Sequence, residues 1–121
     1  MSSIGWADVP ALDLDRAIRF YSAVLGVKVE KHEAPGFAMG VFPHDDNYGA
    51  GGCLFTASEE QPSQQGILVY FGVEGRLDEA IAAVEPNGGK VLKPRQSIAP
   101  HGFRAIILDS EGNRVALHSM E

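Results

Sequence analysis

The chain has 121 residues, 45% hydrophobic and 21% charged, which suits one folded domain with its own core and is too short for two independent ones. Its net charge of −6, from 16 acidic and 10 basic residues with no Lys/Arg cluster, argues against nucleic acid and weakly favours cationic or neutral small ligands over polyanions. No apolar run reaches the roughly 20 residues of a membrane span, the opening Met1-Ser2-Ser3-Ile4-Gly5-Trp6 predicts no signal peptide, and the lone Cys53 cannot form an internal disulfide, which fits a cytoplasmic, reducing setting.

Residues 4–11 read as a strand. Its small apolar positions Gly5, Ala7, Val9 and Ala11 alternate with Ile4, Trp6, Asp8 and Pro10, so the two sets face opposite ways. Asp13 is placed to cap a helix that opens on Leu14-Asp15-Arg16. Leu14, Ala17, Ile18, Tyr21, Val24 and Leu25 then recur at helical spacing, and Gly26 closes the helix. Short strands are expected at 27–30, 37–42 and 52–55. The polar stretch 58–66 reads as a linker.

Beyond it the order returns: a strand at 67–73, a helix carried by Leu77, Ala80, Ile81 and Val84, a stop at Pro86-Asn87-Gly88-Gly89, then strands at 90–92, 103–108 and 114–118. The letters repeat too. Leu14-Asp15-Arg16-Ala17 matches Leu77-Asp78-Glu79-Ala80, and Gly26-Val27-Lys28-Val29 matches Gly89-Lys90-Val91-Leu92 at the same offset. Two copies of a strand-helix-three-strand unit, each too small to bury a core alone, must therefore pair. A ferredoxin-like α+β fold with chance similarity is the alternative.

The combination of Val9-Pro10, Asp13-Leu14-Asp15-Arg16-Ala17-Ile18-Arg19-Phe20-Tyr21, Leu25-Gly26, Gly88-Gly89-Lys90-Val91 and Asp109-Ser110-Glu111-Gly112-Asn113-Arg114 resembles the vicinal oxygen chelate superfamily, which includes glyoxalase I, bleomycin resistance proteins and extradiol dioxygenases. Within it the chain is most similar to short glyoxalase-like proteins of undefined function. The resemblance covers essentially the whole chain and implies an α+β fold: two βαβββ modules, about 4–57 and 66–119, forming an open curled mixed sheet with helices on the outer face. It implies a ligand site on the concave face and frequent homodimers. It is not specific for function, because the superfamily hosts unrelated chemistries.

Superfamily enzymes typically hold a divalent metal by a His on the first strand and a Glu on the last strand of a module. Carried over residue by residue, those places fall here on Trp6, on Leu68 or Val69, near Cys53, and on Ala116. Indole and methyl groups do not ligate metals, and one cysteine is a single soft ligand. The expected metal set is absent, so no cofactor is expected. His32, His44, His101 and His118 show no paired spacing. An atypical site from His101, His118 and Asp8 is the competing reading.

The predicted concave pocket contains Trp6, Asp8, Leu68, Tyr70, Ala116 and His118, with His101 on an overhanging Pro-His-Gly loop; aromatic walls with a few polar groups suit a small molecule. Each residue has a plainer role open to it. Trp6 can fill core or a dimer interface, Asp8 can pair with Arg104 or Arg114, and His118 can bond backbone. Cys53 reads as a buried small hydrophobe, and 109–113 as a hairpin turn without chemistry. The sequence thus points to a metal-free, homodimeric, glyoxalase/bleomycin-resistance-like small-molecule binder, with no nucleic-acid or membrane partner. The alternative is a metal-dependent lyase, isomerase or dioxygenase with an atypical site, and whether the chain is an enzyme stays open.

Overall fold

A computed structural model describes residues 4–44, 51–56 and 58–121. The elements run β1 (Trp6–Pro10), α1 (Leu14–Leu25), β2 (Glu30–Ala34), β3 (Phe37–Val41), β4 (Gly51–Phe55), β5 (Tyr70–Gly72), α2 (Leu77–Val84), a 3-10 turn (Glu85–Asn87), β6 (Lys90–Ser97), β7 (Phe103–Leu108) and β8 (Arg114–Ser119). They form two βαβββ modules, each with a four-stranded sheet, ordered β1-β4-β3-β2 and β5-β8-β7-β6. The first strand of each module pairs parallel with the last, and the other pairs are antiparallel. The sheets are not closed on each other.

Helix α1 forms where its caps and period place it. Asp13 accepts from the Arg16 N–H at 3.1 Å, and Gly26 ends the helix with a left-handed φ of 69°. Ala17, Phe20, Tyr21 and Val24 make its buried stripe. Gly40 on β3 lets the helix settle, since a Cβ there would stand 2.7 Å from Ile18 Cγ1. The two modules share one core. Tyr21 and Phe42 of the first meet Phe71 of the second, with ring centroids 5.1–5.3 Å apart.

Three expected strands differ in extent. Residues 27–29 precede β2 rather than belonging to it, and β2 is the fully exposed Glu-Lys-His-Glu-Ala run, whose charges suit a sheet edge. The strand expected at 67–73 shrinks to Tyr70–Gly72. The strand expected at 90–92 continues to Ser97, with register shifts between Val91 and Lys93 and between Lys93 and Gln96.

Polar bonds lock the modules together at two places. Arg76, at the start of α2, donates through Nη1 to the Val24 carbonyl at 2.7 Å and so caps the C-terminal end of α1. The 109–113 turn between β7 and β8 does the same at the other end of α1. Glu111 accepts from the backbone N–H groups of Leu12 and Asp13 at 2.8 Å each, and pairs with the Arg16 guanidinium at 2.8 and 2.9 Å. Burial works to raise the Glu111 carboxyl, but Arg16, the Asp13 N–H and the Ser110 hydroxyl outweigh it and hold the group down to about 2. Asp109 accepts from the Tyr21 hydroxyl at 2.6 Å, from the N–H groups of Glu111 and Asn113, and from Asn113 Nδ2. Burial first, then the adjoining Asp109 carboxylate, pushes the Tyr21 phenol well up. Asn113 also reaches back to the Pro10 carbonyl at 2.7 Å and accepts from Ser63 of the polar connector.

Candidate functional site

The register inside each module defines which residues are equivalent. Asp8 pairs with Cys53 in the parallel β1–β4 ladder, as Tyr70 pairs with Ala116 in β5–β8. Asp8 and Tyr70 are thus counterparts, as are Cys53 and Ala116, and two residues upstream stand Trp6 and Leu68. Pleating puts Trp6 and Asp8 on the face of their sheet turned away from the helices, while Val9 enters the core.

On that face of the first module, Trp6 is 46% exposed and its indole Nε1 donates to Asp8 Oδ1 at 3.1 Å. The buried Cys53 thiol lies 3.4 Å from the same oxygen. Asp8 is therefore engaged within its own module, and the expected pairing with Arg104 or Arg114 does not form. Burial foremost, with Asp8 adding and Trp6 opposing, pushes the Cys53 thiol up, so it is not an activated nucleophile. His44 packs edge-on to Trp6, with ring centroids 5.8 Å apart.

On the matching face of the second module, Tyr70 is 44% exposed and takes a hydrogen bond from Arg104 Nη1 on its hydroxyl. The Tyr70 and His118 rings lie 6.2 Å apart. His118 Nε2 bonds the His101 carbonyl at 2.7 Å, so the 99–102 loop meets the sheet through its backbone. Ala116 and Ile106 form a buried apolar floor between these groups.

The metal set implied by the superfamily does not fit these residues. Its places hold the Trp6 indole, the Leu68 side chain, the Cys53 thiol and the Ala116 methyl. Among the described residues no three His, Cys, Asp or Glu side chains converge as a metal site. His101 and His118 meet backbone to side chain, and Asp8 lies in the other module's sheet, so the described structure does not gather them as ligands.

A cleft of about 540 Å³ opens at the seam between the modules. Ala7 and Val9 of β1 line one side, and Leu68, Tyr70 and Phe71 at β5 line the other. Leu25 at the end of α1 and Phe42 after β3 close it. It exists because neither β1 nor β5 pairs with a second strand, so two sheet edges flank a gap that apolar side chains only partly fill. Of the residues expected to contact a ligand, Leu68 and Tyr70 line this cleft. Trp6, Asp8, His101, Ala116 and His118 lie outside its lining. Sequence reasoning missed the Val27, Phe42 and Ile67 side of it. The one available signal was that Val27 and Ile67 are apolar at the ends of strands with no helix face to cover them.

Two arginines on the second module's sheet complete the geometry. Among the described residues, Arg104 Nε and Arg114 Nε are buried side-chain atoms without a hydrogen-bond partner. Among the described residues neither guanidinium has a carboxylate within ion-pair distance, while Arg16 and Arg95 pair with Glu111 and Asp78.

The sequence profile of the Glyoxalase/Bleomycin resistance protein/Dioxygenase superfamily matches residues 3–117. A glyoxylase-like domain-containing protein of Didymella fabae is 33% identical over 123 aligned positions, spanning 94% of this chain and 91% of that protein. A glyoxalase/bleomycin resistance protein from Albidiferax ferrireducens T118 superposes with a TM-score of 0.77 at 19% identity, over 98% of both chains. A genomically encoded fosfomycin resistance protein from Listeria monocytogenes does so with a TM-score of 0.70 at 14% identity, over 98% of this chain and 91% of that one. At such identities the structural likeness shows the fold alone. The chain belongs to the glyoxalase/bleomycin resistance protein/dioxygenase superfamily. Among its described residues no helix is long and apolar enough to cross a membrane.

Proposed function

We propose that this protein binds a small organic molecule at the seam of its two modules and across the adjoining sheet faces, without the divalent metal typical of the superfamily's enzymes. The observation that carries the reading is the 540 Å³ cleft, which is mainly apolar and lined by Tyr70, whose hydroxyl is held by Arg104. That size and mixture fall in the range of small-molecule sites, about 300–1,000 Å³. The side chains at the superfamily's ligand places support the metal-free part, because indole, isobutyl and methyl groups offer no lone pair to a cation. Trp6, Asp8, Ala116, His101 and His118 belong to the wider sheet face that a ligand larger than the cleft would touch.

A homodimer in a reducing, cytoplasmic setting completes the proposal. Ile4 at 62% and Ile67 at 90% exposure leave an apolar fringe on the seam, which a second copy would cover. The single Cys53, buried and unbridged, suits the compartment.

One experiment in three arms tests this. Dialysed protein is analysed for metals and by sedimentation equilibrium. A neutral and charged fragment set is then screened by thermal shift on the wild type, on Leu68→Trp and on Trp6→Ala. The expected result is less than stoichiometric Ni, Zn, Fe or Mn, a dimer, and ligand responses abolished by Leu68→Trp with the fold retained. Trp6→Ala weakens responses only to larger fragments. A stoichiometric metal overturns the metal-free reading. Responses indifferent to both substitutions remove the site.

A further inference from the structure

The orphaned arginines point to the kind of molecule the site takes. Arg104 on β7 lies opposite His118, and Arg114 on β8 lies opposite Leu108, so both stand on the helix-free face of one sheet. Between them run Ile106 and Ala116, which are paired with each other and buried. Continuing the Tyr70–Ala116 register back two residues brings Leu68 beside Arg114. Each guanidinium is tethered by one nitrogen to the segment that lines the cleft: Arg104 Nη1 to the Tyr70 hydroxyl, and Arg114 Nη2 to the Gly66 carbonyl at 3.2 Å. The face is an apolar strip with a half-buried cation at either end.

Both cations differ from the chain's other partnered ones. Arg16, Lys31 and Arg95 each meet a carboxylate, and Arg76 caps a helix. Among the described residues Arg104 and Arg114 meet only neutral oxygens, and each buries its Nε without a partner. Buried polar groups in native proteins are mostly satisfied, and an exception calls for a specific partner such as a water, an ion or a ligand. Guanidinium is also the side chain best matched to a carboxylate or phosphate, through two parallel N–H donors. The net charge of −6 describes the chain as a whole, whereas this face is locally cationic and Asp8, on the other sheet, is already engaged by Trp6 and Cys53.

We propose that Arg104, joined by Arg114 for a ligand long enough to reach the far end of the face, binds an oxyanion group of a small organic anion, a carboxylate or a phosphate ester, whose apolar body lies in the seam cleft beside Leu68 and Tyr70. This rests on the small-molecule reading above and narrows it to one chemical class. Arg104 is the stronger anchor, because its tether is the cleft-lining Tyr70 itself, with the guanidinium carbon 5.9 Å from the Tyr70 ring centroid.

The test is a titration of the full-length, 15N-labelled protein with benzoate and with inorganic phosphate, against benzamide as the neutral twin of benzoate. The arginine Nε–Hε signals are assigned from Arg104→Gln and Arg114→Gln. Benzoate is expected to shift the Arg104 signal and those of Leu68 and Tyr70, phosphate the arginine signals alone. Arg104→Gln is expected to weaken benzoate at least about tenfold, as loss of one charge-assisted contact implies, and to leave benzamide unchanged. Arg104→Lys restores part of the loss. If benzamide perturbs the cleft as strongly as benzoate and the arginine signals stay still, the anion class is wrong and the small-molecule site stands. If neither twin moves the cleft or the arginines, both readings fall. Should a variant not fold, through-bond correlation in 13C,15N-labelled wild type assigns the same Nε–Hε signals, and the wild-type spectra still decide between these outcomes.

Discussion

Strands β7 and β8 carry two polar clusters at opposite ends of one idea. At their shared turn, Asp109, Glu111 and Asn113 are buried and every oxygen and amide on them is used, mostly by partners in the other module. A few residues away on the same strands, Arg104 and Arg114 keep a charge with no counter-charge and an N–H with no acceptor. A saturated buried network is a structural device, since each group lost leaves a partner stranded in low dielectric. An unsaturated one contributes nothing comparable to folding. The contrast separates what holds this chain together from what it offers to a ligand, and each variant below presses on one side of it.

The largest effect is expected at Asp109. Asp109→Ala removes the acceptor of the Tyr21 hydroxyl, of two backbone N–H groups and of the Asn113 amide, leaving them buried and unpaired. A loss on the order of 3–5 kcal/mol is expected in urea unfolding, near the limit of what a domain of this size tolerates. A loss below about 1 kcal/mol would mean that the turn is ornamental and that the comparison above is misdrawn.

Glu111 comes next, and it carries a pH signature. Its carboxyl sits at about 2 when folded against an ordinary value of 4.5. A depressed folded value adds stability that is complete above the unfolded value and disappears as pH falls through the folded one. The wild type should therefore lose about 3 kcal/mol between roughly pH 4.5 and pH 2 from this group. Glu111→Gln should be less stable at neutral pH and should show a flatter decline over that window. Parallel acid limbs in the two proteins would place the pairing energy elsewhere.

Much of this frame was legible in the chain. Asp13, Gly26 and the apolar stripe of α1 predict that helix because capping and periodicity are local properties. The repeat gave the second module its matching topology. The turn at 109–113 was also readable as a turn, yet its buried role was not. Glu111 meets Leu12, Asp13 and Arg16 from nearly the opposite end of the chain, and no local pattern carries that contact. Asp8 illustrates the same limit: opposite charges suggested an arginine partner, while folding brought Trp6 and Cys53 to its oxygen first. The run Ile67-Leu68-Val69 is apolar like a buried strand, but β5 starts only at Tyr70 and these residues line the cleft instead. What makes Arg104 notable is that, among the described residues, it meets a neutral hydroxyl and no carboxylate in three dimensions, which one sequence cannot display.

The smallest effect on folding is expected at Arg104, and it is the sharpest check on the comparison. Arg104→Gln removes a cation that no carboxylate among the described residues answers, while the shorter amide keeps much of the stem's packing but no longer reaches the Tyr70 hydroxyl. The lost bond to a neutral hydroxyl and the relieved unpaired charge oppose each other, so stability should stay within about 0.5 kcal/mol of wild type, the range of ordinary surface substitutions. Urea unfolding at neutral pH measures this directly, alongside Asp109→Ala on the same strands. If Arg104→Gln instead destabilises the chain by 2 kcal/mol or more, on the scale of a broken buried network, the arginine is a structural member of the sheet, and the division between saturated and unsaturated clusters fails where it matters most.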